Sequence, residues 1–212
     1  SIRTVIADHW KSLEKINSDL LKNKKTICLI HSKEINHPAN SSLNKRVLES
    51  LSKTDYIVSN SNFTKKLAVD LNFNEEKIVV INPGVEKNIN PTKENIEITN
   101  VLLKNSFPKL ITISRFDKRK NHEKIIMTIR NLKEKFPNIK YLCIGYGEEE
   151  NNLRKLVKQL KIEDVVIFKK NISPNLKSAF LLLSDLFIMP SIIYKKSVEG
   201  FGISFIEAAQ QG

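Results

Sequence analysis

Short apolar runs rich in isoleucine, leucine and valine recur along this chain and alternate with longer stretches whose apolar residues return at helical spacing. The runs predict strands at Thr26–His31, Tyr56–Ser59, Lys77–Ile81, Leu110–Ser114, Lys140–Ile144, Val165–Phe168 and Leu186–Met189. Most are apolar at successive rather than alternate positions, which predicts sheets covered by helices on both faces. Between them, Val5, Ile6, Trp10, Leu13, Ile16 and Leu20 predict an amphipathic helix over residues 2–21. Further helical stripes are Val47, Leu48 and Leu51; Leu67 and Leu71; Ile125, Ile126, Ile129 and Leu132; and Leu153, Leu156, Val157 and Leu160. Strands alternating with such helices imply parallel sheets built from βαβ units.

The rhythm breaks at 83–105, where Pro83-Gly84, Asn90-Pro91 and several polar residues precede the restart at Leu110. Residues 83–105 are therefore read as an interdomain connection holding a short helix. Residues 1–82 are read as the C-terminal part of one Rossmann-like domain, and 106–212 as most of a second. The fold class is α/β with two parallel sheets. Both domains are expected to be cut: the first has few strands, and the last helix stops at Gly212 with no partner beyond it.

Composition narrows the class of protein only modestly. The chain has 212 residues, 41% hydrophobic and 27% charged, as expected of a packed globular protein. Its formal charge of +12 favours an anionic partner without choosing among a polyanion, an anionic membrane and a phosphorylated small molecule. Clusters such as Lys22, Lys24, Lys25 and Lys195, Lys196 also read as solvated faces. The two cysteines, Cys28 and Cys143, sit in apolar runs and form no disulfide framework or zinc spacing, which fits a reducing cytoplasm. The apolar stretch 180–193 is interrupted by Asp185 and Pro190 and falls short of the roughly 20 residues a membrane span needs.

Three segments carry candidate chemistry. After the strand at Leu110–Ser114 comes Arg115-Phe116-Asp117-Lys118-Arg119-Lys120-Asn121-His122, then a helix, a position where doubly wound sheets bind ligands and helix N-termini favour anions. Arg115 offers a rigid fork of donors and Lys120 a point charge, a pair suited to a diphosphate. Gly145 and Gly147 follow the next strand and permit either a tight turn or close approach of a ligand. They do not make a dinucleotide fingerprint, for the third glycine and the later acidic residue are absent. In the third segment, Glu199-Gly200-Phe201-Gly202 leads into a helix containing Glu207. Its amides suit an anion and its carboxylates suit sugar hydroxyls, although glutamates near a helix start also stabilise the helix dipole.

Taken together, these motifs resemble those of the retaining glycosyltransferases of family 4, which have the GT-B fold. Residues 80–85 (Val-Ile-Asn-Pro-Gly-Val), Ser114-Arg115 through Lys120-Asn121, Gly145-Tyr146-Gly147, and Glu199 with Glu207 match in order and spacing; so do Met189-Pro190-Ser191 and Glu207-Ala208-Ala209. The likeness spans residues 26–212. It implies that Arg115 and Lys120 contact the donor diphosphate and Glu207 the ribose, while Glu199 and the amides of Gly200, Phe201 and Gly202 hold the transferred sugar. His31 resembles the family histidine that faces that sugar. The stretch 192–198 is similar to the mannosyltransferases acting on phosphatidylinositol mannosides and points to GDP-mannose.

The activity implied is transfer of a hexosyl unit, with retention, from a UDP- or GDP-sugar to an acceptor hydroxyl. The leaving phosphate assists deprotonation, and cations stand in place of a metal, so no cofactor or metal is expected. Three departures stand out. Ser114 replaces a common glycine; Lys169 and Lys170 stand where relatives often have a glycine near the base; the family's N-terminal glycine-rich loop is absent, which implies that activity needs a longer chain. A non-catalytic nucleotide-sugar or partner-binding module is the alternative. A nucleic-acid partner is not expected, because the aromatic residues, 7% of the chain, fall at core-like positions. The helix over 2–21, ending in lysines, would serve as a core element or, at the inner face of an anionic membrane, as an interfacial one.

Overall fold

In the computed structural model the described residues are 2–86, 89–195 and 197–212. Ser1, two residues of the 83–105 segment and Lys196 of the lysine cluster lie outside them. The chain divides into two compact units, Ser1–Gly84 with Ile193–Phe201, and Val85–Ile192 with Gly202–Gly212. Each contains a parallel sheet of four strands.

The first unit runs β1 (Thr4–Ala7), α1 (Trp10–Glu14), α2 (Ser18–Leu21), β2 (Lys25–Ile30), α3 (Ser32–Ile35), α4 (Ser42–Leu51), β3 (Tyr56–Ser59), α5 (Asn62–Asp70) and β4 (Ile78–Val80). Residues 4–7 are a strand, contrary to the helix expected over 2–21. Val5 and Ile6 are β-branched and pair in parallel with Thr26 and Ile27 of β2. Asp8 and His9 then end the strand, and His9 Nδ1 accepts the Lys11 amide at 3.0 Å to start α1. Adjacent apolar residues on the two faces of a strand and those of the helix after it ran together into a false helical period. The long amphipathic surface suggested for a membrane contact is therefore not formed.

The strand order β1-β2-β3-β4 steps in one direction, so right-handed crossovers lay the helices on one face. There Trp10, Leu13, Ile35, Val47, Leu51 and Ala68 close a core over Cys28, Ile30 and Ile57. On the other face Ile6 is 66% and Val79 44% exposed, so the expectation of helices on both faces fails for this sheet among the described residues. β2 alternates accordingly, with Thr26, Cys28 and Ile30 buried and Ile27 and Leu29 only half-buried. Side chains pin α1 at both ends. Trp10 Nε1 donates to the Glu34 carbonyl at 3.0 Å, and Lys53 Nζ donates to the carbonyls of Leu13, Glu14 and Ile16 at 3.2, 3.2 and 2.9 Å.

The second unit runs α6 (Lys93–Leu102), β5 (Lys109–Ile113), a 3-10 turn (Lys118–Lys120), α7 (His122–Lys135), β6 (Lys140–Ile144), α8 (Glu150–Gln159), β7 (Val166–Lys169), α9 (Pro174–Leu182), β8 (Leu186–Phe187) and α10 (Ile203–Ala209). Here the order is β7-β6-β5-β8. α7 and α8 pack together over one face, burying Ile126, Ile129, Tyr141, Cys143, Leu153 and Val157. α6 packs on α9 over the other, against Ile111, Leu142 and Ile144. Both faces of this sheet are covered, in keeping with its largely apolar strands. The segment 83–105 thus supplies α6, capped by Thr92, to the second unit. No helix among the described residues is long and apolar enough to cross a membrane.

Trp10 is 1% exposed and is the largest side chain of the first core. Trp10→Ala should lower unfolding stability by about 3–5 kcal/mol, measured by chemical denaturation.

Candidate functional site

The strand order sets the place of the site in the second unit. From β5 the chain steps to β6 and β7 on one side, then returns to β8 on the other, so β5 and β8 flank a topological switch point. Crevices for ligands open at the carboxyl ends of strands at such points. The loop 114–121 leaves β5 there and is tied to the segment after β8. The Ile192 amide donates to the Arg119 carbonyl at 2.8 Å, Asn121 Nδ2 to the Pro190 carbonyl at 3.3 Å, and Lys120 Nζ lies 3.3 Å from Met189 Sδ. Asp117 organises the loop: its Oδ1 accepts the Lys120 amide at 3.1 Å, while its Oδ2 lies 3.7 Å from Arg115 Nη2 and 3.9 Å from Arg119 Nη2. The two cations read from the sequence take different levels. The Arg115 side chain is 67% exposed, whereas Lys120 is buried at 7%.

Gly145 and Gly147 are explained by backbone packing. The Ser114 amide donates to the Ile144 carbonyl, the Phe116 amide to that of Tyr146, and the Glu149 amide to that of Phe116, extending the ladder between β5 and β6 beyond both strands. A Cβ on Gly145 would stand 1.9 Å from the Ser114 carbonyl oxygen, and one on Gly147 would stand 2.4 Å from that of Phe116. Gly145 also has φ +147, where side chains are strained. These glycines let the cationic loop lie directly on the turn after β6.

Helix starts divide into two groups. Ser173 caps α9 and Thr92 caps α6 with their side chains. α7, α8 and α10, which begin beyond the carboxyl ends of β5, β6 and β8, have no side-chain cap. In α8 the first amide, of Glu150, donates to the Gly147 carbonyl at 3.2 Å, whereas the starts of α7 and α10 have the form that anion-binding helix starts take. Gly202, the N-cap of α10, has φ 82, a left-handed conformation that glycine adopts without penalty. Glu207 on α10 accepts from Lys177 Nζ of α9 at 2.7 Å, with its side chain 25% exposed. Lys177 had no signal in the sequence, being distant from every motif.

The first unit holds His31, Glu199, Gly200 and Phe201, and the second holds Arg115, Lys120, Gly145, Gly147, Gly202 and Glu207. Read as one segment, 199–207 is thus shared between the units. A Cβ on Gly200 would come within 2.8 Å of Ser32 Oγ and 3.4 Å of Asn60 Nδ2, so this segment lies at the carboxyl ends of β2 and β3, beside the residue after His31. His31 donates its amide to Glu34 Oε1 at 3.0 Å, and Glu34 Oε2 lies 3.0 Å from His9 Nε2. Because His9 Nδ1 is already an acceptor, Nε2 carries the proton and donates to Glu34. Burial, aided by the Asp8 charge, pushes the Glu34 carboxyl up to about 7. A cavity of about 390 Å³ opens here, its lining including His9, His31, Glu34 and His37 with Lys11 and Lys33. Glu34 and His9 escaped the sequence reading because only the fold brings them together, whereas Asp117 lay in the quoted loop with its partners beside it in sequence and was given no role.

Two parallel Rossmann-type sheets, one carrying a cationic loop at its switch point, define the GT-B class of glycosyltransferase folds. The chain belongs to the family described as Glycosyl transferases group 1, whose model matches residues 94–212. Among curated proteins it is 30% identical over 105 residues to the putative colanic acid biosynthesis glycosyltransferase WcaL of Escherichia coli K12, covering 49% of this chain and 26% of that protein. It is 26% identical over 107 residues to the GDP-mannose-dependent alpha-(1-6)-phosphatidylinositol monomannoside mannosyltransferase of Mycolicibacterium smegmatis, covering 50% of this chain and 28% of the relative. Among solved structures, Anabaena Alr3699/HepE in complex with UDP superposes with a TM-score of 0.80 at 16% identity, over 99% of this chain and 57% of that one. A glycosyltransferase from Rickettsia africae ESF-5 gives 0.75 at 23% identity, over 99% and 55%. The chain therefore spans little more than half of these structures, and the alignments to the curated relatives cover about a quarter of their length.

Gly145→Ala should lower the thermal midpoint markedly, because the clash is with backbone. Gly84→Ala, with nothing within 4 Å, should leave it nearly unchanged in the same melting experiment. Glu34 also sets a pH dependence. Its folded value of about 7 lies above the ordinary 4.5 of a glutamate, so its contribution to stability is complete below about 4.5 and is lost as pH rises through 7. Denaturation from pH 4.5 to 8 should show the native chain losing stability relative to Glu34→Gln over that window.

Proposed function

We propose that the chain is part of a retaining glycosyltransferase that moves a hexosyl unit from a UDP- or GDP-sugar to an acceptor hydroxyl. The observation that carries this reading is the loop at the switch point of the second sheet, which sets Arg115 at the surface, Lys120 beneath it and the uncapped start of α7 behind. A diphosphate is the anion such a set suits, for a guanidinium fork and helix-end amides both donate to phosphate oxygens. In this reading Arg115, Lys120 and the amides stabilise charge on the leaving diphosphate, and that phosphate takes the acceptor proton, with no metal required. Glu199 and the amides of Gly200, Phe201 and Gly202 serve the transferred sugar, His31 faces it, and Glu207 exchanges its bond to Lys177 for ribose hydroxyls. The nucleotides named for similar proteins, GDP-mannose for one relative and UDP or UDP-glucose in solved structures, support a nucleotide sugar and leave both bases in play.

Calorimetric titration with UDP and with GDP tests the reading. At least one should bind, equally well with a chelator present, and Arg115→Ala should weaken it roughly tenfold to a hundredfold, the loss of a charge-assisted hydrogen bond. Unchanged affinity in Arg115→Ala would overturn the site. Glu199→Gln should leave free nucleotide binding nearly intact and lower transfer of the donor sugar, and absence of transfer by any longer form of the chain would favour a binding module instead.

A further inference from the structure

Ser114 is one end of a chain of hydrogen bonds that runs from the half-buried turn after β5 into the core. At the far end Thr112 Oγ1 donates to the Ile188 carbonyl, just after β8, and Tyr141 Oη donates to Thr112 Oγ1 at 2.8 Å. The one proton of Tyr141 is thereby used, so its oxygen accepts from His122 Nδ1 at 3.2 Å, with Cys143 Sγ 3.3 Å from the same nitrogen. His122 is 2% exposed, and burial holds its ring well below the usual histidine range, at about 4, so it is neutral. With the proton on Nδ1, Nε2 accepts from Ser114 Oγ at 2.9 Å. Every link runs one way, from the turn after β5 through the first residue of α7 and through β6 to the end of β8. The Phe116 ring meets His122 edge-on at 4.9 Å and fixes its plane.

Glycine at 114 would leave His122 Nε2 without this donor, and an apolar residue at 122 would leave the Ser114 hydroxyl only the longer contact to the Arg115 carbonyl at 3.3 Å. Serine and histidine at these positions therefore form a matched pair, one residue before Arg115. We propose that Ser114 and His122 are positioning residues, whose hydrogen bond holds the turn presenting Arg115 and thereby raises affinity for a nucleoside diphosphate that neither side chain touches. The inference rests on Arg115 contacting that diphosphate.

The test is a calorimetric double-mutant cycle with UDP and GDP on the 212-residue chain. Ser114→Ala should weaken binding about threefold to tenfold, the range of one neutral hydrogen bond, at temperatures well below its melting midpoint. In an Arg115→Ala background the same change should have no further effect, since the turn then presents nothing; a role confined to stability would not give that coupling. His122→Phe should match Ser114→Ala, with the pair combined no worse than either, and if His122→Phe does not fold, the serine cycle decides. Ser114→Ala binding like the native chain, or costing as much without Arg115 as with it, would overturn the positioning role. Arg115→Ala binding like the native chain would overturn the diphosphate reading itself, and the proposal with it.

Discussion

The return of the chain from β7 across the sheet to pair β8 with β5 is the constraint on which the second unit depends, because it separates two neighbouring strands by a crossover on each side. Two consequences follow. Helices cover both faces, so the central residues of β5 and β6 are buried, and the carboxyl ends of β5 and β8 are left as a crevice that no crossing connection fills. The loop after β5 can then reach the segment after β8 and bond to it. Had β8 joined the sheet beside β7, Arg119, Lys120 and Asn121 would have no Met189, Pro190 or Ile192 to meet.

Holding cationic side chains in that crevice against one another needs a compact loop with a carboxylate at its centre. Asp117 supplies the carboxylate, capping the 3-10 turn and lying within reach of two guanidinium groups. Compactness comes from the backbone contact between 114–116 and 145–147, which leaves no room for a Cβ on either glycine. The glycines thus let the cationic loop pack directly on the turn after β6. The chain of hydrogen bonds from Ser114 through His122 to Ile188 works in the same direction, fastening loop, helix and both flanking strands at one point.

The first unit shows the opposite sheet logic. A sheet whose strands advance in one direction lays its helices on one side, and its β2 strand alternates where the strands of the second sheet do not. Its candidate residues again gather at carboxyl strand ends. His31 follows β2, Glu34 ties the His31 amide to His9 beyond β1, and Gly200 comes in against Ser32 and Asn60. A carboxyl held near neutrality by burial makes this corner sensitive to proton concentration where an ordinary glutamate would not be.

The sequence by itself determined the class of fold and most of its elements. Largely apolar runs such as Leu110–Ser114 and Lys140–Ile144 predicted buried strands, and the helical stripes between them predicted crossovers. It also marked Arg115, Lys120, Gly145, Gly147, Glu199 and Glu207 as residues of interest, since each breaks an apolar pattern at the end of a strand or the start of a helix. Tertiary structure decided what local periodicity does not encode. β1 became a strand because β2 was there to pair with Val5 and Ile6, whereas their spacing from Trp10 and Leu13 alone looked helical. Glu207 met Lys177, Glu34 met His9, and Ser114 met His122 through strand order and side-chain burial, contacts that join elements remote in the chain. The division of residues 199–207 between the two units belongs to the same category: continuity in sequence specifies which residues adjoin, and only packing specifies which core each one joins.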